Sequence, residues 1–225
     1  VSRECIVSKD AVEIETGPDP VAAVIWLHGL GADGHDFEPI VPELVRPAER
    51  PLRFIFPHAR VRPVTLNGGY AMRAWYDIAA LDRRTAEDER GIRESQATIE
   101  ALLRRENARG IPSERIVLAG FSQGGAMALF AGTRYPDRLA GIMGLSCYLV
   151  LASRLTVERA TANEATPIFL AHGAQDPVVA PALGEEARRQ LLAAGYTVEW
   201  HTYSMPHSLC PQEVGDIATW LRRVL

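Results

Sequence analysis

Lysine is nearly absent from this chain of 225 residues: of its 24 basic residues only Lys9 is a lysine, and the others are arginines. The arginines are scattered among 28 acidic residues, Asp88, Glu89 and Glu94 for example, and the net charge is −4. A phosphate backbone is neutralised by a clustered positive surface, so no nucleic-acid partner is expected. Cysteine is scarce as well. Cys5, Cys147 and Cys210 are odd in number, widely spaced and without any C-x-x-C, which fits neither a disulfide framework nor a zinc site. They read as reduced thiols. Long apolar runs are missing: Val21 to Leu27 is short, and Leu139 to Ala152 is interrupted by Gly141, Gly144 and Ser146, so neither can span a bilayer. The first residues, Val1-Ser2-Arg3-Glu4-Cys5, carry an acid and no apolar h-region. A cytoplasmic protein without stable membrane insertion is expected. No H-E-x-x-H or comparable His and carboxylate cluster occurs, so metal-dependent hydrolysis is disfavoured.

Proline and glycine are spread along the chain, and no repeat or low-complexity tract marks a linker, so residues 1–225 read as one domain. After an edge strand at Ala11 to Glu15, apolar runs of strand length recur at Val21 to Leu27, Leu52 to Phe56, Arg115 to Ala119, Leu139 to Leu145, Pro167 to Ala171 and Tyr196 to Tyr203. Between them lie segments of helical spacing. The clearest is Asp88 to Asn107, where Ile92, Gln96, Ile99, Leu102 and Leu103 share a stripe; others are Ser122 to Arg134, Ala182 to Ala193 and Pro211 to Arg223. Apolar strands alternating with helices predict an α/β fold, a mostly parallel central sheet with helices on both faces. The connections are too short for a large cap domain. Ligands of such sheets bind beyond the carboxyl ends of the strands, so functional residues should follow strands. Pro57 to Asp82 breaks the alternation as a long loop. Its Tyr70, Met72, Trp75, Tyr76 and Ile78 favour burial over disorder, and it reads as a wall of a substrate pocket.

The sharpest signal is Gly120-Phe121-Ser122-Gln123-Gly124, a G-x-S-x-G directly after a strand and directly before a helix. A serine at such a turn is held in a strained conformation, and the flanking glycines remove β-carbons that would clash. The helix start supplies unpaired N–H groups and a positive dipole end to a developing oxyanion. Ser122 is the candidate nucleophile and the Gln123 N–H one oxyanion donor. A serine needs a histidine base and a carboxylate to fix its tautomer. Of six histidines, His207 passes the strand-end test, in Ser204-Met205-Pro206-His207-Ser208 after the last strand. His201 lies inside a strand and reads as a side chain on a sheet face, while His35 and His58 sit in loops with no paired acid apparent. Asp176 follows the strand Pro167 to Ala171, although an Asp before Pro177 also suits a plain turn. The order Ser, Asp, His is that of α/β-hydrolases. The second oxyanion donor fits Leu27-His28-Gly29-Leu30-Gly31-Ala32-Asp33-Gly34, with His28 holding its shape. A nucleotide loop fits less well, because Arg50 to Arg53 stand where an acid belongs and no Walker lysine exists.

Taken together, Leu27 to Gly31, Met72-Arg-Ala-Trp-Tyr-Asp77, Gly120 to Gly125, His172-Gly-Ala-Gln-Asp176 and Met205-Pro-His-Ser-Leu-Cys210 give a chain that resembles the small bacterial carboxylesterases similar to acyl-protein thioesterases and lysophospholipases, within the α/β-hydrolase fold. The resemblance implies a Ser122, Asp176 and His207 triad, an oxyanion hole from the N–H groups of Leu30 and Gln123, and catalysis without metal or cofactor. It also implies an acyl channel near Leu30 and Trp75, with Met72 and Trp75 as substrate-binding residues, and a homodimer in some members. The expected activity is hydrolysis of short- to medium-chain carboxylic esters through an acyl-enzyme, the partner being a small-molecule ester or thioester. Acyl-protein thioesterase or lysophospholipase activity is the neighbouring reading, and a non-catalytic binding protein the distant one. A cysteine hydrolase built on Cys147 or Cys210 is disfavoured, since neither has a glycine-flanked elbow.

Overall fold

The computed structural model describes residues 4–7, 10–46, 49–80 and 87–225, with the backbone alone for 4–7. In chain order the elements are β1 (Glu4–Val7), β2 (Ala11–Glu15), β3 (Ala22–Leu27), α1 (Val41–Leu44), β4 (Leu52–Pro57), β5 (Val61–Val64), β6 (Tyr70–Arg73), α2 (Glu89–Ala108), β7 (Ile116–Phe121), α3 (Gln123–Gly132), β8 (Gly141–Leu145), α4 (Leu155–Glu158), β9 (Ile168–Gly173), α5 (Pro181–Ala193), β10 (Val198–Tyr203) and α6 (Pro211–Val224).

One eight-stranded sheet has the order β1-β2-β4-β3-β7-β8-β9-β10, and β5 and β6 form a separate hairpin. From β4 to β10 all neighbours are parallel; β1 with β2 and β2 with β4 are antiparallel. Alternation along each strand splits the core into two layers. In β3, for example, Ala23, Ile25 and Leu27 pack with Ile99 and Leu103 of α2 and with α3, whereas Ala22, Val24 and Trp26 pack on the α1 and α6 side with Leu44, Ile217 and Trp220. Helices therefore cover both faces, and the fold is that of an α/β-hydrolase. Every residue of α3 is buried, so it carries no amphipathic stripe, as a helix enclosed on all sides should not.

Two expectations need correction. Ala11–Glu15 is not the edge strand, because β1 lies outside it in antiparallel register, Cys5 opposite Ile14 and Val7 opposite Val12. Four residues are too few for a recognisable alternation. The segment expected to be a long loop carries the β5–β6 hairpin, in which Val61 pairs with Arg73 and Val64 with Tyr70 around Gly68 and Gly69 at φ 65° and 81°. Asn67-Gly68-Gly69 suits a turn, but its flanking strands are short and one contains Pro63, so no alternation marks them. The end of the expected loop, residues 81 and 82, lies outside the described residues. Among the described residues no helix is long and apolar enough to cross a membrane.

The antiparallel side of the sheet is tied to α2 by charge. Glu106, fully buried, accepts from Arg53 at 2.8 Å and from Arg109 at 2.9 Å; Arg53 also reaches Glu15 at 2.7 Å, and Arg105 and Arg109 each reach Glu13 at 2.7 Å. Removing one member of a buried ion cluster leaves its partner uncompensated. Glu106→Ala should cost about 3 kcal/mol, read as a lower urea midpoint, with little change in activity per folded molecule.

Candidate active site

β7 ends at Phe121 and α3 begins at Gln123, so Ser122 alone makes the turn, at φ 55° and ψ −120°. A non-glycine residue there is strained by about 1–3 kcal/mol and persists only if its surroundings hold it. Two backbone bonds do so: the Ser122 N–H donates to Leu145 O at 2.8 Å, and the Ala126 N–H donates to Ser122 O at 3.0 Å. The turn closes so tightly that a β-carbon at Gly120 would collide with the Gly124 backbone, and one at Gly124 with Leu27 O and His28 O. A serine at a helix N-cap ordinarily accepts from the first-turn amides. Ser122 Oγ makes no such bond; it lies 3.0 Å from His207 Nε2.

His207 stands in the turn after β10, and its Nδ1 is 2.6 Å from Asp176 Oδ2. The acid, in the turn after β9, has a fully buried side chain. Its Oδ1 accepts from the N–H groups of Val178 and Val179 at 2.8 and 2.9 Å, which orients the carboxylate before any histidine is considered. Phe121 packs its ring against His207 with centroids 4.7 Å apart. Three side chains distant in sequence thus converge at the carboxyl ends of β7, β9 and β10, and an imidazole bridges a hydroxyl and a carboxylate.

The glycine loop after β3 lies beside them: a β-carbon at Gly29 would sit 3.5 Å from Ser122 Cβ. Among the described residues the amides of Leu30 and Gln123 donate to no backbone carbonyl. His28 braces the loop from within. Its Nε2 accepts the Ala59 N–H at 3.0 Å, which leaves the proton on Nδ1 to bond Gly29 O at 2.7 Å. Burial pushes the pKa of this ring down to about 4, the bond to Gly29 opposing only in part. It is a neutral structural wedge.

Trp75 is buried and spends its indole N–H on His28 O at 2.9 Å. Its backbone N–H donates to Gln123 Oε1 at 2.8 Å, while Gln123 Nε2 donates to Tyr76 O at 2.8 Å. The side chain after the nucleophile therefore clamps the segment that follows the hairpin. Met72 is partly exposed on β6, its sulfur 3.6 Å from where a Gly31 β-carbon would be, and the Gly31 N–H donates to Arg73 O at 2.9 Å.

Sequence reasoning missed Phe121, the Gln123 clamp and His172. Only the spacing of His172 and Asp176, four residues apart across the end of β9, could have drawn attention to the last. One reading is corrected: His35 does have an acid, Glu38 at 2.8 Å, because the chain turns over residues 34–37, ahead of a short 3-10 helix that starts at Glu38. His201 lies on the sheet as expected, stacked with Phe169 and Tyr203. Cys147 is buried against Gly125 and Gly144, and burial pushes its thiol far up, which disfavours a thiolate. Among the described residues no three His, Cys, Asp or Glu side chains are grouped to hold a metal ion.

A model of the phospholipase/carboxylesterase family matches residues 9–225. The chain belongs to that family. It is 44% identical to acyl-protein thioesterase 1 of Neurospora crassa, over 89% of this chain and 85% of that protein, and 39% identical to acyl-protein thioesterase 1 of Mycosarcoma maydis, over 93% and 94%. Among solved structures, SOBER1 of Arabidopsis thaliana superposes with a TM-score of 0.85 at 32% identity, covering 90% of this chain and 98% of that one. Acyl-protein thioesterase 2 of Zea mays gives 0.82 at 29% identity, covering 94% and 98%. Membership makes the chain a hydrolase of carboxylic esters or thioesters.

The His28 wedge has a signature in stability. Its folded-state pKa lies below the unfolded value of about 6.5, so the unfolded chain binds the proton first and stability falls as pH drops from about 6.5 towards 4. The loss through this group is on the order of 3 kcal/mol. Urea titrations at a series of pH values should show a flatter acid limb for His28→Gln than for the natural chain.

Proposed function

We propose that the chain is a serine carboxylesterase in which Ser122, His207 and Asp176 form the catalytic triad and the amides of Leu30 and Gln123 form the oxyanion hole. The observation that carries the proposal is the pair of contacts on one ring, His207 Nε2 at 3.0 Å from Ser122 Oγ and Nδ1 at 2.6 Å from Asp176 Oδ2. Asp176 accepts a hydrogen bond from the Nδ1–H of His207, which leaves the lone pair of Nε2 facing the hydroxyl. Ser122 Oγ attacks the acyl carbon as His207 takes its proton, and the resulting oxyanion meets amides that donate to no backbone carbonyl among the described residues. The imidazolium returns its proton to the departing alcohol or thiol. Water, activated by the same nitrogen, then releases the carboxylic acid and restores Ser122.

The β5–β6 hairpin, joined to the oxyanion loop through Gly31 and Arg73, is the wall of the acyl pocket, with Met72 on it and Trp75 in the segment that follows it. A wall of this size without an inserted cap favours short- to medium-chain acyl groups. A second reading, hydrolysis of long-chain acyl thioesters on protein, is favoured by the fungal relatives, which are named acyl-protein thioesterases at 39–44% identity. The protein acts on a small-molecule ester or thioester in the first case and on an acylated protein in the second.

Two measurements test these statements. Ser122→Ala and His207→Ala should each lower kcat roughly 10⁴- to 10⁶-fold, the double variant being little worse because the groups act as a unit; additive losses, or a fluorophosphonate adduct elsewhere than Ser122, count against the triad. A chain-length series of paired esters and thioesters should peak in kcat/KM at short to medium acyl groups. A maximum at long-chain thioesters selects the second reading.

A further inference from the structure

His172 is the penultimate residue of β9, four residues before Asp176, with its side chain almost wholly buried. Its two ring nitrogens meet opposite conditions. Nε2 lies 2.9 Å from Val179 O and 3.4 Å from Asp176 Oδ2, two oxygens that can only accept. Nδ1 is buried without any hydrogen-bond partner and faces Gly184 of α5, where a β-carbon would collide with it. The ring therefore carries its proton on Nε2, and a second proton on Nδ1 would point at no acceptor. Burial pushes its pKa below the usual histidine value, in the same direction.

The contact with Val179 matters because of what the other side of that residue does. The Val179 N–H donates to Asp176 Oδ1 at 2.9 Å, while its carbonyl receives the His172 proton. His172 thus grips the turn that supplies two amides to one carboxylate oxygen and leans on the other oxygen, the one His207 uses. The charged or titratable groups around it are Asp176 itself, His207 in the turn after β10 and Glu185 on α5, with the Trp200 ring of β10 at 6.4 Å.

We infer that His172 is a positioning residue for the reaction: a neutral imidazole whose Nε2–H anchors the 176–179 turn and holds the Asp176 carboxylate in line with His207. This rests on Asp176 being the triad acid. Neutrality is part of the role. A cation at 172 would share Asp176 Oδ2 with the imidazolium that forms on His207 and weaken the stabilisation of that charge. The neutral donor instead orients the carboxylate without competing for it, as partners behind a functional group commonly do.

Substitution by the two amides separates the nitrogens, since a glutamine amide reaches the place of Nε2 and an asparagine amide that of Nδ1. His172→Gln is expected to keep at least about a third of kcat, whereas His172→Asn loses about 10- to 100-fold in kcat with KM within about twofold. The acid limb of the kcat/KM profile should move to higher pH in the Asn variant only, because a carboxylate that has lost a donor holds the His207 proton more strongly. Thermal melts establish that each chain is folded, and His172→Phe repeats the comparison if the Asn chain is not. Equal kcat and equal profiles for Gln and Asn, whether both high or both low, overturn the inference. Ser122→Ala is assayed alongside: turnover retained there removes the triad itself, while a dead Ser122→Ala with indistinguishable Gln and Asn variants removes only the role of His172.

Discussion

The backbone at Ser122 is the constraint from which the rest of the site is built. A serine at φ 55° is held only because β7 and β8 fix its amide on Leu145 O, α3 fixes its carbonyl, and two glycines let the neighbouring chain close over it. That strain has a product. It lifts Oγ out of the capping position that a serine before a helix would otherwise take, so the hydroxyl faces an imidazole and the first amides of α3 stay unspent. The parallel sheet supplies the remainder, because all its strands from β4 to β10 end at the same rim and the turns after β3, β7, β9 and β10 necessarily meet there.

Histidines at this rim differ by environment rather than by type. His28 and His172 are almost wholly buried, each with one nitrogen committed to a backbone carbonyl, and burial holds both neutral. His207 is more open and stands between a hydroxyl and a carboxylate. A desolvated ring cannot cheaply accept a proton, whereas a ring backed by a carboxylate can. The two buried rings therefore suit holding loops in place, and the third suits the proton transfers proposed for it.

Gln123 links the elbow to the proposed pocket wall. Its backbone begins the helix whose amides face the proposed oxyanion, and its side chain holds the backbone of Trp75 and Tyr76. With Trp75 bonded to His28 O and Arg73 to Gly31, the glycine loop after β3, the turn at Ser122 and the hairpin form one hydrogen-bonded unit. The placing of the reacting groups and the shape of the wall are thereby coupled.

Local signals sufficed for much of this. Runs such as Ala22 to Leu27 or Ile168 to Ala171 are apolar on both faces, the α2 stripe repeats at helical spacing, and G-x-S-x-G demands a strand before it and a helix after it, so the α/β fold and the identity of Ser122, Asp176 and His207 as candidates were legible in the chain. Their meeting was not, because a contact over 85 positions depends on strand order, and strand order is set by packing of whole layers. The hairpin within 57–82 and the outer strand β1 escaped for a related reason: short strands carry too few residues for a period, and pairing partners make them strands. The tertiary structure alone decided which histidine is buried and what each nitrogen faces. Desolvation and hydrogen-bond geometry belong to neighbours in space, and one imidazole reads like any other along the chain.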